Sequence, residues 1–152
     1  MKWVGITLTI LLAVALVGVG LHAVSIGVGV GYEISGLILI SALTEMPISE
    51  TLDVRAQLGF ATPDIAGLML VTVDILTHWL MPPIDPYVGL GIGVALTPPP
   101  YSTGLVVEGV GGLRVAPIDG LQLSLQVRYL LRKAGNGWHA GPVFEGGVLL
   151  QF

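Results

Sequence analysis

A chain of 152 residues has room for one domain, and with 53% hydrophobic and only 11% charged residues it is far poorer in charge than the roughly 25% of a soluble domain. The formal net charge of −4 leaves no basic surface for nucleic acid. With no cysteine, disulfide frameworks and thiol chemistry are excluded.

The chain opens with Lys2, an apolar run over about 3–20, and Ala23, the layout of a secretory leader cleaved after residue 23. An uncleaved anchor helix is the alternative, since about 18 apolar residues is the lower limit for crossing a bilayer. The expected division is therefore a signal peptide over 1–23 and a folded domain over 24–152.

From residue 24 onward the apolar residues recur with a period of two, the period of a β-strand. In 24–32, Val24, Ile26, Val28, Val30 and Tyr32 stand opposite Ser25, Gly27, Gly29 and Gly31. Residues 36–44 are apolar on both faces, and no inward side can be assigned to them. Over 51–60, Leu52, Val54, Ala56, Leu58 and Phe60 oppose Asp53, Arg55, Gln57 and Gly59. The strand over 69–77 carries Thr72 and Asp74 on its polar face. That over 86–97 sets Val88, Leu90, Ile92, Val94 and Leu96 against Gly89, Gly91, Gly93 and Ala95. Residues 105–115 place Glu108 and Arg114 on the polar side. Residues 121–130 alternate Leu121, Leu123, Leu125, Val127 and Tyr129 with Gln122, Ser124, Gln126 and Arg128. The final strand, 143–152, aligns Phe144, Gly146, Val148, Leu150 and Phe152 against Glu145.

Eight strands result, separated by clusters of Pro, Gly, Asp and Asn around Ile34, Pro47, Pro63, Pro83, Pro99, Pro117 and Gly135. About 16 residues are available for each strand and its turn, enough for the roughly 9 to 11 that cross a bilayer. Strands can span lipid only as a closed barrel, because every backbone polar group must find its partner within the protein. The expected fold is thus an all-β, eight-stranded antiparallel up-and-down transmembrane barrel, apolar outside and polar or small inside. Eight strands enclose a space just wide enough for side chains, so Gly27, Gly29, Gly31, Gly89, Gly91 and Gly93 would make room for long residues of other strands. A soluble ligand-binding barrel with the faces reversed is the competing reading.

Lumen parity collects Asp53, Asp74, Glu108 and Glu145 with Arg55, Arg114 and Arg128. Four acids and three bases nearly cancel, which suits a buried ion-pair network. Arg55 and Arg128, which stay charged at any ordinary pH, are each expected to meet one of those four carboxylates. Tyr32, Trp79, Tyr87, Tyr101, Tyr129 and Trp138 lie near strand ends and are expected to form aromatic girdles at the two interfaces. The histidines lack metal-ligand spacing. His22 leaves with the leader, His78 lies toward one end, and His139 has Ser102 as its nearest loop hydroxyl without a linking motif. The glycine runs continue strands rather than open helices, so they are not nucleotide loops.

The segments 86–94 and 120–130, with the final strand ending at Phe152, resemble the small eight-stranded outer-membrane barrels of diderm bacteria, the group of the OmpA transmembrane domain and the OmpW-like proteins. The likeness covers 24–152. It implies a bacterial outer-membrane protein surrounded by lipid, and a C-terminal pattern, here Phe144, Val148, Leu150 and Phe152, read by the barrel-assembly machinery. The expected function is structural, supporting membrane integrity, with a side-chain-filled lumen, no cofactor, no metal, no nucleic-acid partner and a monomeric state. A narrow, porin-like channel for small or apolar solutes is the runner-up, and a lipid-modifying enzyme a third reading.

Overall fold

The computed structural model describes residues 24–62, 68–97, 103–134 and 137–152. The expected leader over 1–23, with His22, lies outside them, as do Pro63, Pro99, Tyr101, Ser102 and Gly135. The described residues form eight strands: β1 Ser25–Glu33, β2 Ile38–Ser49, β3 Leu52–Thr62, β4 Met69–His78, β5 Ile84–Leu96, β6 Gly104–Ile118, β7 Leu121–Ala134 and β8 Gly137–Gln151. Each pairs antiparallel with the next, and β8 pairs with β1, closing the sheet into a barrel. Closure leaves no sheet edge along the wall.

Both termini of this barrel lie at one end, where the Phe152 N–H donates to the Val24 carbonyl. That terminal end also carries the β2–β3, β4–β5 and β6–β7 turns. The β1–β2, β3–β4, β5–β6 and β7–β8 connections lie at the other, the loop end. Gly36 (φ 99°) and Gly120 (φ 78°) take the left-handed backbone that lets the β1–β2 and β6–β7 turns close tightly.

Several strands run further than the sequence pattern predicts. Two of the prolines that read as turn signals are absorbed into strands, Pro47 in β2 and Pro117 in β6, and β8 begins early enough to include Pro142. Pro47 and Pro117 sit where the register shifts, between Pro47 and Ser49 and between Val115 and Ile118. The residues these shifts leave without a register partner are Ile48 in β2 and Ala116 and Pro117 in β6, so at Pro117 the missing donor is not needed by the ladder.

Side chains alternate as the pleat requires, and the faces are those of a barrel turned inside out relative to a soluble one. Leu90 and Leu125 are 75% and 69% exposed, while Arg55 and Arg128 are each 1% exposed. Inside, the fill is layered. Toward the loop end lies an apolar cluster made by Leu37, Leu39, Ala61, Leu68, Leu70, Ala95, Val106, Leu130 and Val143. Beneath it is a layer of charged and amide side chains. Toward the terminal end these are joined by Leu76, Tyr87 and Val110.

Candidate functional site: the charged layer of the lumen

The absent side chains of the glycine strands are what admit this layer. A Cβ on Gly91 would run into the Asp74 carboxylate, and one on Gly89 would meet Leu76 Cδ2 at 2.5 Å. On the β1 side, a Cβ on Gly29 would meet Glu145 Oε1 and Ser41 Oγ, and one on Gly31 would meet Val143 Cγ1 at 2.9 Å. Each of these lumenal glycines thus lies under a larger side chain from a neighbouring strand, which is the close backbone approach that justifies glycine in a strand interior.

Three groups of contacts make up the layer. Around Arg128, Nε and Nη2 donate to Glu108 Oε2 at 3.0 and 2.6 Å, Nη1 to Glu145 Oε2 at 3.3 Å, and Nη2 to Thr72 Oγ1 at 3.3 Å. Glu145 also accepts from Ser41 Oγ and from Gln57 Nε2, the latter at 2.9 and 3.1 Å. Around Arg55, Nε donates to Glu45 Oε1 at 2.7 Å and Nη1 to Gln126 Oε1 at 2.5 Å, an oxygen that also accepts from the Tyr87 hydroxyl at 2.8 Å. Around Arg114, Nη2 lies 3.0 Å from Glu45 Oε2, and Nη1 lies 3.0 Å from Asp53 Oδ2 and 3.5 Å from Asp85 Oδ2. His78 extends this last group, with Nδ1 3.1 Å from Asp85 and Nε2 3.6 Å from Asp53.

All seven residues of lumen parity, Asp53, Arg55, Asp74, Glu108, Arg114, Arg128 and Glu145, are buried inside the barrel. Three expectations about them need correcting. Arg55 takes its carboxylate from Glu45, which was not among the four acids considered. The near cancellation of charge also fails, because Glu33, Glu45 and Asp85 join the acids and Arg132 the bases, giving seven carboxylates to four guanidinium groups among the described residues. Asp74, finally, accepts no hydrogen bond at either oxygen, although Arg55 is its register partner. It lies beside Glu108, whose Oε1 is likewise unpaired, both residues standing opposite Gly91 on its two flanks.

Glu45 was missed because β2 was ended at Thr44, ahead of Pro47. Carried one residue further, the alternation Leu39, Ser41, Leu43, Glu45 puts it on the lumen face. Tyr87 is a further correction. It is not a girdle residue: it shares the parity of Gly89 and is buried, its ring lying against Gly112, where a Cβ would meet Tyr87 Cζ at 2.6 Å. Both arginines cover it, with Arg114 Cζ at 4.5 Å and Arg55 Cζ at 5.1 Å from the ring centroid. Such stacking is favourable, and more so away from water.

Tyr32, Trp79, Tyr129 and Trp138 are exposed on the outer wall or beyond its ends. Phe144, Val148, Leu150 and Phe152 also face outward, along β8 and just past it. Among the described residues no group of three His, Cys, Asp or Glu side chains is arranged to hold a metal ion.

Chemically, the layer is a set of charges satisfied mostly by one another. It is capped by apolar packing on the loop side, and the wall around it offers lipid-like surface outward. A barrel with that wall is suited to a bilayer and not to water.

No protein-family model matches this chain, and no curated protein does. Solved structures do match. The N-terminal β-barrel domain of Pseudomonas aeruginosa OprF is similar with a TM-score of 0.69 at 13% identity, over 87% of this chain and 98% of that one. Neisserial surface protein A (NspA) gives a TM-score of 0.66 at 14% identity, over 86% and 95%. The outer membrane enzyme PagL gives 0.58 at 12% identity, over 83% and 98%. At such identities the shared property is the fold, and the fold of this chain is that of the small eight-stranded outer-membrane β-barrels.

Proposed function

We propose that the chain resides in the bacterial outer membrane as a monomeric, non-catalytic barrel with a structural role in membrane integrity. It would be exported by its leader and inserted by the barrel-assembly machinery. The observation that carries this reading is the layering of the lumen. A conduit needs a continuous polar path, whereas here the charged layer meets a cluster of buried apolar side chains, and its arginines are spent on its own carboxylates. Holding a membrane-spanning wall rigid from within is what such a filling does well.

A narrow channel is the second reading. It is favoured by the excess of acids in the lumen and by the unpaired oxygens of Asp74 and Glu108, which mark a spot short of donors. Removal of the chain from its native cell separates the two. On the structural reading the outer membrane becomes leaky to a hydrophobic dye, and the protein is recovered in outer-membrane fractions beginning near Val24. An intact permeability barrier combined with lost uptake of a small solute would favour the channel instead.

A further inference from the structure

The carboxylates of the charged layer are unevenly served. Toward the terminal end, Arg55 and Arg114 face Glu45, Asp53 and Asp85, with His78 between the two aspartates. Further in, Arg128 serves Glu108 and Glu145, and Asp74 lies beside Glu108. Asp74 and Glu108 are 0% and 1% exposed. Uncompensated charge at such a depth is among the most costly things a fold can carry.

A glycine brings the two acids together. Both stand opposite Gly91, Asp74 on β4 and Glu108 on β6. A Cβ on Gly91 would run into the Asp74 carboxylate, which therefore lies over the bare backbone of β5, on the side of Glu108. The donors around the pair are engaged elsewhere. On β3, Arg55 donates to Glu45 and Gln126, and Gln57 to Glu145. On β7, Arg128 donates to Glu108 Oε2, Glu145 and Thr72. Ser41 of β2 donates to Glu145, and the Tyr87 hydroxyl of β5 to Gln126. Both Asp74 oxygens and Glu108 Oε1 are left as buried acceptors without a donor. Two neighbouring carboxyl groups can bond to each other only if one of them carries a hydrogen.

We infer that the lumen binds one proton at this spot, carried on Asp74 and donated to Glu108 Oε1. Glu108 is the ionised partner, because its Oε2 already accepts two bonds from Arg128, at 3.0 and 2.6 Å. The proton is taken from solvent as the barrel closes, and Asp74 then enters the layer as a neutral acid. A single O–H···O bond supplies the missing donor and removes one surplus negative charge from the interior. The inference rests on the filled-lumen reading, since a water-filled bore would hydrate both groups as carboxylates.

Infrared spectroscopy of the folded chain near neutral pH tests it, in dodecylphosphocholine micelles, which have no carbonyl group of their own. Wild type shows the C=O stretch of one protonated carboxyl group, and the band moves when aspartate is isotope-labelled at its side-chain carboxyl. It is lost in Asp74→Asn and kept in Asp53→Asn, where the native carboxylate pairs with Arg114. Heat-modifiable gel mobility reports whether each variant is folded, and labelled wild type assigns the band to aspartate without any variant. In weakly buffered solution, unfolding of wild type releases one proton more than unfolding of Asp74→Asn. A folded wild type without the band overturns the inference, as does a band that aspartate labelling leaves in place. Stability that rises when sodium replaces choline, in a protein lacking the band, would mark the pair as a metal-cation site instead. Conductance of wild type sinks the filled-lumen reading, whereas silence without the band sinks the proton site alone.

Discussion

The Arg114 guanidinium lies 4.5 Å from the centroid of the Tyr87 ring, across a strand pair in which Gly112 yields its side-chain volume to that ring. Tyr87 therefore does two jobs: its face supports Arg114 and Arg55, and its hydroxyl donates to Gln126 at 2.8 Å. The two can be separated. Tyr87→Phe keeps the face and loses one hydrogen bond, for about 1 kcal/mol of stability. Tyr87→Leu loses the face as well and is expected to cost about 3 kcal/mol. Urea unfolding followed by gel mobility checks the order; equal losses would mean that the ring face contributes nothing.

Glycine on the two faces of the wall has opposite consequences. Gly91→Ala drives a methyl group into the Asp74 carboxylate, a clash worth about 1–3 kcal/mol. Gly109→Ala, on the outer face, meets only Leu90 Cδ2 at 3.9 Å and should stabilise by about 0.4–1 kcal/mol through a stiffer unfolded chain. Thermal midpoints of the two variants should move in opposite directions. A shared sign would contradict the assignment of faces.

The charged layer makes a third prediction, on unequal members of one cluster. Arg128→Ala strands Glu108 and Glu145 in a dry site and is expected to lose about 3–5 kcal/mol. Glu108→Ala also destabilises, and the double variant loses less than the sum, because the pair is coupled. Asp74→Asn behaves differently. Its carboxylate makes no hydrogen bond and sits among surplus acids, so an amide that can donate to Glu108 leaves stability unchanged or raises it by about 1 kcal/mol. A loss from Asp74→Asn as large as that from Arg128→Ala would mean that Asp74 is an essential partner of Arg55.

Most of the barrel was legible because a strand with one lipid face and one lumen face writes its orientation in every second residue. Val88 to Leu96 against Gly89 to Ala95 is the clearest case, and it fixed the inward parity of Asp74, Glu108 and Arg128 by analogy along their own strands. What stayed hidden lay where strands end. Proline reads locally as a stop, yet Pro47 and Pro117 fall at bulges that a closed sheet tolerates, so β2 and β6 continue past them. Glu45 was lost with that extension, and Tyr87, next to Pro86, was taken for an end residue although its parity is that of Gly89. Pairings across the lumen, such as Arg55 with Glu45, depend on the register of several strands at once, which periodicity within one strand does not encode.

The wall supplies the fourth prediction. Leu90→Arg or Leu125→Arg sets a charge on a side chain that is now well over half exposed, and in lipid this costs roughly 2–4 kcal/mol near the midplane. On a soluble barrel the same changes at such exposed positions would be close to neutral. Refolding into vesicles and measuring urea midpoints distinguishes the cases.

The central claim, a membrane barrel whose lumen is filled and not open, is tested most directly by the conductance of the purified protein in a planar bilayer. The account predicts silence from wild type. It also predicts that trimming the apolar layer at Leu39, Leu70 and Leu130 to serine, which removes the seal above the charged layer, produces current steps. Stable, ion-selective steps from the unaltered chain would contradict the account and make the channel its function.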